Sequence, residues 1–413
     1  STRYGQSSAR SMSELNDELI VLRFSRMMRT GDPQAIAVTP LYDRTGVRDP
    51  LLDRYPPRSV YAARIPSFWT IGSVVHGGFL LSLLTRAATT HQTLHSEEKK
   101  KHLDPAHLSS LFLSASVAGD CQVEVTVVSV SKRWTRLDVE LWQYNDPTSG
   151  SRGAKRDLTL PSTKRTLRIR AHFLYTKLEN VFDLETSTPG GNDLVPTYLS
   201  RQCPLLQHPA EMRDVAYTET PGKFGFREGM RWKEVECVRD GPDEHRGELR
   251  WACWFELTQG ENLTKLADLV PFFADCSQKS PVVLGRRPGF EEPAPSWYPT
   301  MTLAMDFKSA FPLPSTASKT TFGIFASTKT IQNGRHDLTV EVWTSPGDLT
   351  ATINSYERVG DDWRSEVRCV GVSTQLALMT PMSFNEMKGS LRSGATKART
   401  DGHEAGGPQL AKM

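Results

Sequence analysis

Two pairs of segments recur at nearly the same spacing, and this constrains the fold more than any other feature of the chain. "LFLSA" (111–115) resembles "DFKSA" (306–310) at an offset of 195 residues, and "RLDVELWQ" (136–143) resembles "DLTVEVWT" (337–344) at an offset of 201. The order is kept, so accidental agreement of two strands is a poorer explanation than duplication of one unit. The 413 residues are too many for one core and divide naturally into two domains of about 200 residues each.

Each half also opens alike. "PSFWTIGSVVHGGFLLSLLTRAATTHQ" (66–92) begins extended, turns at Gly72 and Gly77-Gly78, and becomes a helix that is apolar nearly all round, as a buried helix is. "RWACWFEL" (250–257) alternates like a strand, and "TQGENLTKLADLVPFFADCSQ" (258–278) reads as a loop and a helix with Leu263, Leu266, Leu269, Val270 and Phe273 on one face. Long β-rich stretches follow each helix. The implied class is α+β: two antiparallel sheets, each wrapped round a central helix. The expected divisions are an N-terminal extension (1–54), a first unit (55–180), a linker (181–214), a second unit (215–385) and a disordered tail (386–413).

Composition removes several function classes. Fifty Lys and Arg against 47 Asp and Glu leave a net charge of +3, with no concentrated basic face of the kind nucleic acid requires. Six cysteines lie apart with no C-x-x-C pair, so neither a zinc site nor a disulfide framework is expected, and a reducing, cytoplasmic setting fits. No window holds 18 apolar residues, so no membrane span is expected. Walker, Rossmann, H-E-x-x-H, EF-hand and G-x-S-x-G motifs are absent from the sequence, which leaves NTP, NAD, metal and serine-hydrolase chemistry without support; no cofactor is expected.

"WTIGSVVHGGF" (69–79), "ADLVPFFADCSQ" (267–278) and "LAMDFKSAF" (303–311) together resemble the double-hotdog acyl-CoA thioesterases of the type II class, in particular a divergent thioesterase-like branch common in fungi. The resemblance covers roughly residues 60–380 and implies a tandem hotdog with an Asp, a Thr or Ser, and a Gln holding one water against a thioester carbonyl. Carried over, the acid is Asp306, the hydroxyl Thr328 with Ser327 close behind, and the amide Gln375, with Asn354 or Ser355 as alternatives if 348–359 is the last strand. Such chemistry needs a base for the water proton, neighbours that aim its lone pair, and donors for the oxyanion. Gly77, Gly78 and the segment Gly260–Asn262 are candidate donors at helix N-termini. Leu111 stands in the first half where the second has Asp306, which implies one working site per chain.

A strand carboxylate can equally be half of a salt bridge with Lys308 or an arginine. His76 can contact substrate or cap a turn. The expected cavity wall is Trp254, Phe272, Phe273, Phe307, Phe311, Phe322 and Phe325, which favours a hydrocarbon-rich acyl group bound as a CoA or carrier-protein thioester. Phosphates of such an arm would meet the basic segment Lys155–Arg170 or Arg286–Arg287. Two other readings stay open: a non-hydrolytic cyclase, dehydratase or pericyclase of secondary metabolism acting on a polyene, polyketide or terpenoid in the same cavity, and a non-catalytic acyl-binding module. A monomer or a homodimer of double-hotdog units is expected.

Overall fold

The computed structural model describes residues 39–43, 58–95, 102–144, 165–181, 202–212, 225–238, 248–257, 267–291, 293–349 and 363–387. Its main strands are β1 (Thr39–Asp43), β2 (Ser59–Ile65), β3 (Asp104–Phe112), β4 (Gly119–Val130), β5 (Thr135–Tyr144), β6 (Arg165–Thr176), β7 (Met230–Val235), β8 (Leu249–Leu257), β9 (Thr300–Phe307), β10 (Thr321–Thr328), β11 (Arg335–Thr344) and β12 (Cys369–Leu378). The helices are α1 (Gly77–His95), α2 (Val270–Asp275), α3 (Ser280–Gly285) and α4 (Trp363–Glu366).

The strands join in one antiparallel sheet in the order β1-β2-β4-β5-β6-β3-β9-β12-β11-β10-β8-β7, with a short strand at Ile331–Gln332 added on β11. The order 2-4-5-6-3 in the first half is repeated as 8-10-11-12-9 in the second, and the halves meet where β3 pairs with β9. Ser109 faces Ala304 at that seam, and the 195-residue offset relates the same two positions, so a pseudo-two-fold axis passes between them. The duplication read from the sequence is the symmetry of the tandem hotdog.

Alternation along the strands sets what lies inside. On β5, Leu137, Val139 and Leu141 are buried, and on β11 their counterparts Leu338, Val340 and Val342 are buried. Even a side-chain bond is duplicated: Trp142 donates its indole N–H to Glu140 at 3.1 Å, and Trp343 does so to Glu341 at 2.9 Å. The helix α1 is buried along nearly its whole length because the first half's strands cover one side and α2 the other. Its first turn is closed by His76, whose Nδ1 accepts the Phe79 N–H at 3.3 Å.

The second helix falls within the expected segment, and a further short helix follows it after a break. Helix α2 stops at Asp275, the chain runs four residues as Cys276–Lys279, and helix resumes as α3. Pro281, in the first turn of α3, would press its ring against the Ser277 carbonyl in an unbroken helix. The break leaves residues 275–279 facing a cavity. A further feature lies outside the second half of the sheet: Cys203, Leu205, Met212, Leu349 and Trp363 cover its outer face and bury Trp254, Phe325 and Trp343 there.

Candidate active site

At the crossing of α1 and α2 sits a carboxylate that the resemblance did not select. Asp275 closes α2, is 7% exposed, and faces a cavity of about 530 Å³. A Cβ on Gly78 would lie 2.7 Å from Asp275 Cβ and 2.9 Å from Pro271 O, so the two helices approach as closely as they do because this residue has no side chain. The Gly78 N–H then reaches Asp275 Oδ2 at 2.8 Å. Oδ1 is shared by Lys279 Nζ at 3.2 Å and by the Thr300 hydroxyl at 3.3 Å. Gln375, on the inner face of β12 and 5% exposed, donates its amide to the Ala274 carbonyl at 3.0 Å, and its Oε1 has no hydrogen-bond partner among the described residues. Asp275, Thr300 and Gln375 thus gather at one helix end.

The electrostatics favour an ionised acid. Burial alone would raise the Asp275 carboxyl, but Lys279, the His76 ring and the Gly78 N–H together hold it below the ordinary aspartate value. His76 is the reverse case: burial pushes it down to about 4, helped by Lys279 and Arg227 and opposed by Asp275. Neutral at pH 7, with Nδ1 engaged by the Phe79 N–H, its ring passes 3.7 Å from Asp275 Oδ2. Arg227, over the Trp232 ring at 4.6 Å, adds a second cation to the wall.

The sequence-based site is rearranged accordingly. Asp306 points out of the sheet, 52% exposed, and pairs with His107 at 2.7 Å and Lys308 at 3.2 Å. Its counterpart Leu111 is exposed on the same outer face. Thr328 is inward but bonded to Ser280 and to the Asp337 carbonyl, away from the cavity lining; Ser327 does not line it either. Asp306, Thr328 and Gln375 are therefore not brought together. Asn354, Ser355 and Gly260–Asn262 lie outside the described residues. His76 and Gly77 do line the cavity, and Gly78 touches it only through its bond to Asp275.

The expected aromatic wall is also corrected. Phe272, Phe273, Phe307 and Phe322 are packed in the central core, with Phe311 against it, while Trp254 and Phe325 face the outer cluster. The residues on the cavity include Phe112, Phe226, Trp232, Trp251, Phe255, Trp297, Tyr298 and Phe384. Period-two alternation explains the error at Trp254, because its neighbours Trp251 and Phe255 are the members of β8 that turn inward. Arg286, a candidate phosphate contact, is bound by both oxygens of Glu234 at 2.9 Å, and Lys155–Lys164 lie outside the described residues.

A continuous antiparallel sheet curved round two helices, with a carboxylate at their crossing, defines a double-hotdog protein of the thioesterase class. The chain belongs to the acyl-CoA thioesterase family: residues 65–152 match the profile of the acyl-CoA thioesterase N-terminal domain, and residues 202–354 that of the C-terminal domain. Among solved structures, a hot dog fold protein of unknown function from Alicyclobacillus acidocaldarius is similar at a TM-score of 0.54 with 13% identity, covering 84% of this chain and 96% of that one. A putative thioesterase II from Thermobifida fusca YX is similar at 0.51 with 16% identity, again covering 84% and 96%. These likenesses concern the fold. No curated protein sequence matches the chain. No described helix is long and apolar enough to cross a membrane.

Proposed function

We propose that the chain hydrolyses a hydrocarbon-rich acyl thioester, linked to CoA or a carrier protein, with Asp275 as the base that activates water. The observation that carries this reading is the Asp275 carboxylate, turned into an apolar cavity with the Thr300 hydroxyl on Oδ1, while Gln375, bonded to the adjacent Ala274 carbonyl, stands just behind the cavity lining. Water held between carboxylate and amide loses its proton to Asp275 as its oxygen bonds to the thioester carbon, and Thr300 fixes the direction of the carboxylate. The N-terminal backbone of α1 at Gly77, on the cavity wall, offers a donor and a favourable dipole to the oxyanion. Collapse expels the thiolate, which takes the proton back from Asp275. Aromatic and aliphatic lining supports a substrate rich in hydrocarbon.

The test is release of free thiol from a panel of acyl-CoAs. Hydrolysis by the wild type, abolished by Asp275→Asn and unaffected by Asp306→Asn, is the expected result. Binding of apolar acyl groups without thiol release would instead select the cyclase or binding readings.

A further inference from the structure

Asp275 already occupies the helix-end donor that an oxyanion would use first, since Gly78 N–H is bonded to its Oδ2 at 2.8 Å and the next amide, Phe79 N–H, is bonded to His76. A second donor of full charge stands beside it. Lys279 is the last residue of the break between α2 and α3, with extended backbone (φ −75°, ψ 139°), and its side chain turns back along the cavity wall to put Nζ 3.2 Å from Asp275 Oδ1. It is 19% exposed, and so neither a solvated surface lysine nor a sealed structural pair.

We propose that Lys279 is a working part of the site, its ammonium group neutralising the Asp275 carboxylate before the reaction and the tetrahedral oxyanion during it. This rests on the hydrolytic reading above. As the water O–H bond breaks, its proton passes to Asp275, the new C–O bond forms, and the carbonyl π pair moves to oxygen. Negative charge therefore leaves the carboxylate and appears on the substrate. A cation confined to either location would favour only one end of this transfer, whereas a lysine on a flexible stem at the border of the two accompanies the charge. Before the transfer, the same ammonium holds Asp275 in the form that can accept a proton. The other groups facing that carboxylate are His76 from the turn before α1, Gly78 N–H from α1 and Thr300 from β9, with Arg227 behind His76. Lys279 is the one cation in direct contact with it among the described residues.

The experiment compares kcat and the pH profile of kcat/KM for Lys279→Met, Lys279→Gln and Lys279→Arg. Both uncharged variants are expected to lose on the order of a hundredfold in kcat and to move the acid limb upward, because burial of Asp275 is then opposed only by His76 and the Gly78 N–H. Lys279→Gln retains a donor without the charge, so it carries the test if the methionine variant does not fold. Arginine should restore the acid limb and part of kcat. Uncharged variants with an unmoved acid limb and a kcat within twofold of wild type overturn the proposal, whatever their melting temperatures. Retention of thiol release by Asp275→Asn would instead sink the hydrolytic reading on which it stands.

Discussion

Replacing Gly78 by alanine probes the helix contact that delivers Asp275 to the cavity. The added Cβ would stand 2.7 Å from Asp275 Cβ, 2.9 Å from Pro271 O and 3.0 Å from Phe272 Cα. The last two are backbone atoms and cannot rotate away, so α2 must retreat by about half an ångström or more to recover ordinary contact. Overpacking of this kind costs about 1–3 kcal/mol. Alanine offsets roughly 0.4–1 kcal/mol of that by reducing the entropy of the unfolded chain, leaving a net loss of up to about 2.6 kcal/mol and a melting temperature lower by up to several degrees. Activity should suffer far more, because the same retreat stretches the 2.8 Å bond from Gly78 N–H to Oδ2 and displaces the base; a 1 Å misplacement can cost about a hundredfold. Gly77→Ala is the comparison, since its Cβ would meet side-chain atoms first, Asp275 Oδ2 at 2.9 Å and the Phe112 ring at 3.4 Å. Thermal melts and thiol release on the same preparations separate the two effects. A Gly78→Ala protein with wild-type melting and wild-type kcat/KM would refute the reasoning, because the helices could not then be in such close contact.

Asp306→Asn should change stability by less than about 1 kcal/mol, as an exposed ion pair does, and leave kcat within twofold; a large kcat loss would return the acid to the strand. Gln375→Ala should lower kcat by about tenfold or more and cost about 1–3 kcal/mol of stability, because it leaves the buried Ala274 carbonyl without this donor. Asn385 is fully buried and ties the chain after β12 to the turn before α1, accepting the Ser73 N–H and donating to the Ile71 carbonyl, both at 2.9 Å. Asn385→Ala should free Met382 and Phe384 from the cavity rim and widen the range of acyl groups accepted, read as a flatter chain-length profile. Finally, burial lowers His76, His208 and His336 from 6.5 to about 4. Below pH 6.5 the unfolded chain takes up protons that the folded one refuses, so stability is full above 6.5 and falls as pH drops toward 4. Melting temperatures that stay flat across that window would contradict this.

How far the sequence could be read depended on what each signal measures. The offsets of 195 and 201 residues report a backbone symmetry, and they relate β3 to β9 and β5 to β11 as equivalent strands of the two halves. Burial of α1 was visible in its apolar circumference. The outward direction of Asp306 was not legible, because a strand of alternating residues shows that it differs from its neighbours without showing which face it occupies. The sign is set by register: Met305 and Phe307 turn in, so Asp306 turns out beside His107. Asp275 was within the segment quoted for the resemblance, "ADLVPFFADCSQ", and one signal for it was present. A carboxylate followed six residues later by Pro281 marks a helix end, where an acid can leave the core face and meet a cavity. Lys279 at i+4 was a second. Thr300 carried no comparable mark, since its reach to Asp275 depends on the bulge between Thr300 and Thr302. Trp254 and Phe325 could not be placed by alternation alone, because the outer cluster buries the face that a simple hotdog leaves to solvent.

The asymmetry between the halves still argues for one site per chain, but from helices instead of strands. Leu111 and Asp306 are equivalent and both exposed, so that difference concerns the surface. The helices differ in a way that reaches the cavity. The first, α1, runs unbroken for 19 residues, "GGFLLSLLTRAATTHQTLH", and contains no carboxylate. The second halts after six residues at Asp275, and the break exposes Cys276, Ser277, Gln278 and Lys279 to the cavity. Under the pseudo-two-fold, a second site would need an acid from α1 where α2 supplies Asp275, and no residue of α1 can provide it. What α1 supplies instead is the glycine pair and the Gly78 amide that bonds the acid of the other half. Each half thus gives the proposed site what the other lacks, the acid from α2 and the close-packed glycine end from α1.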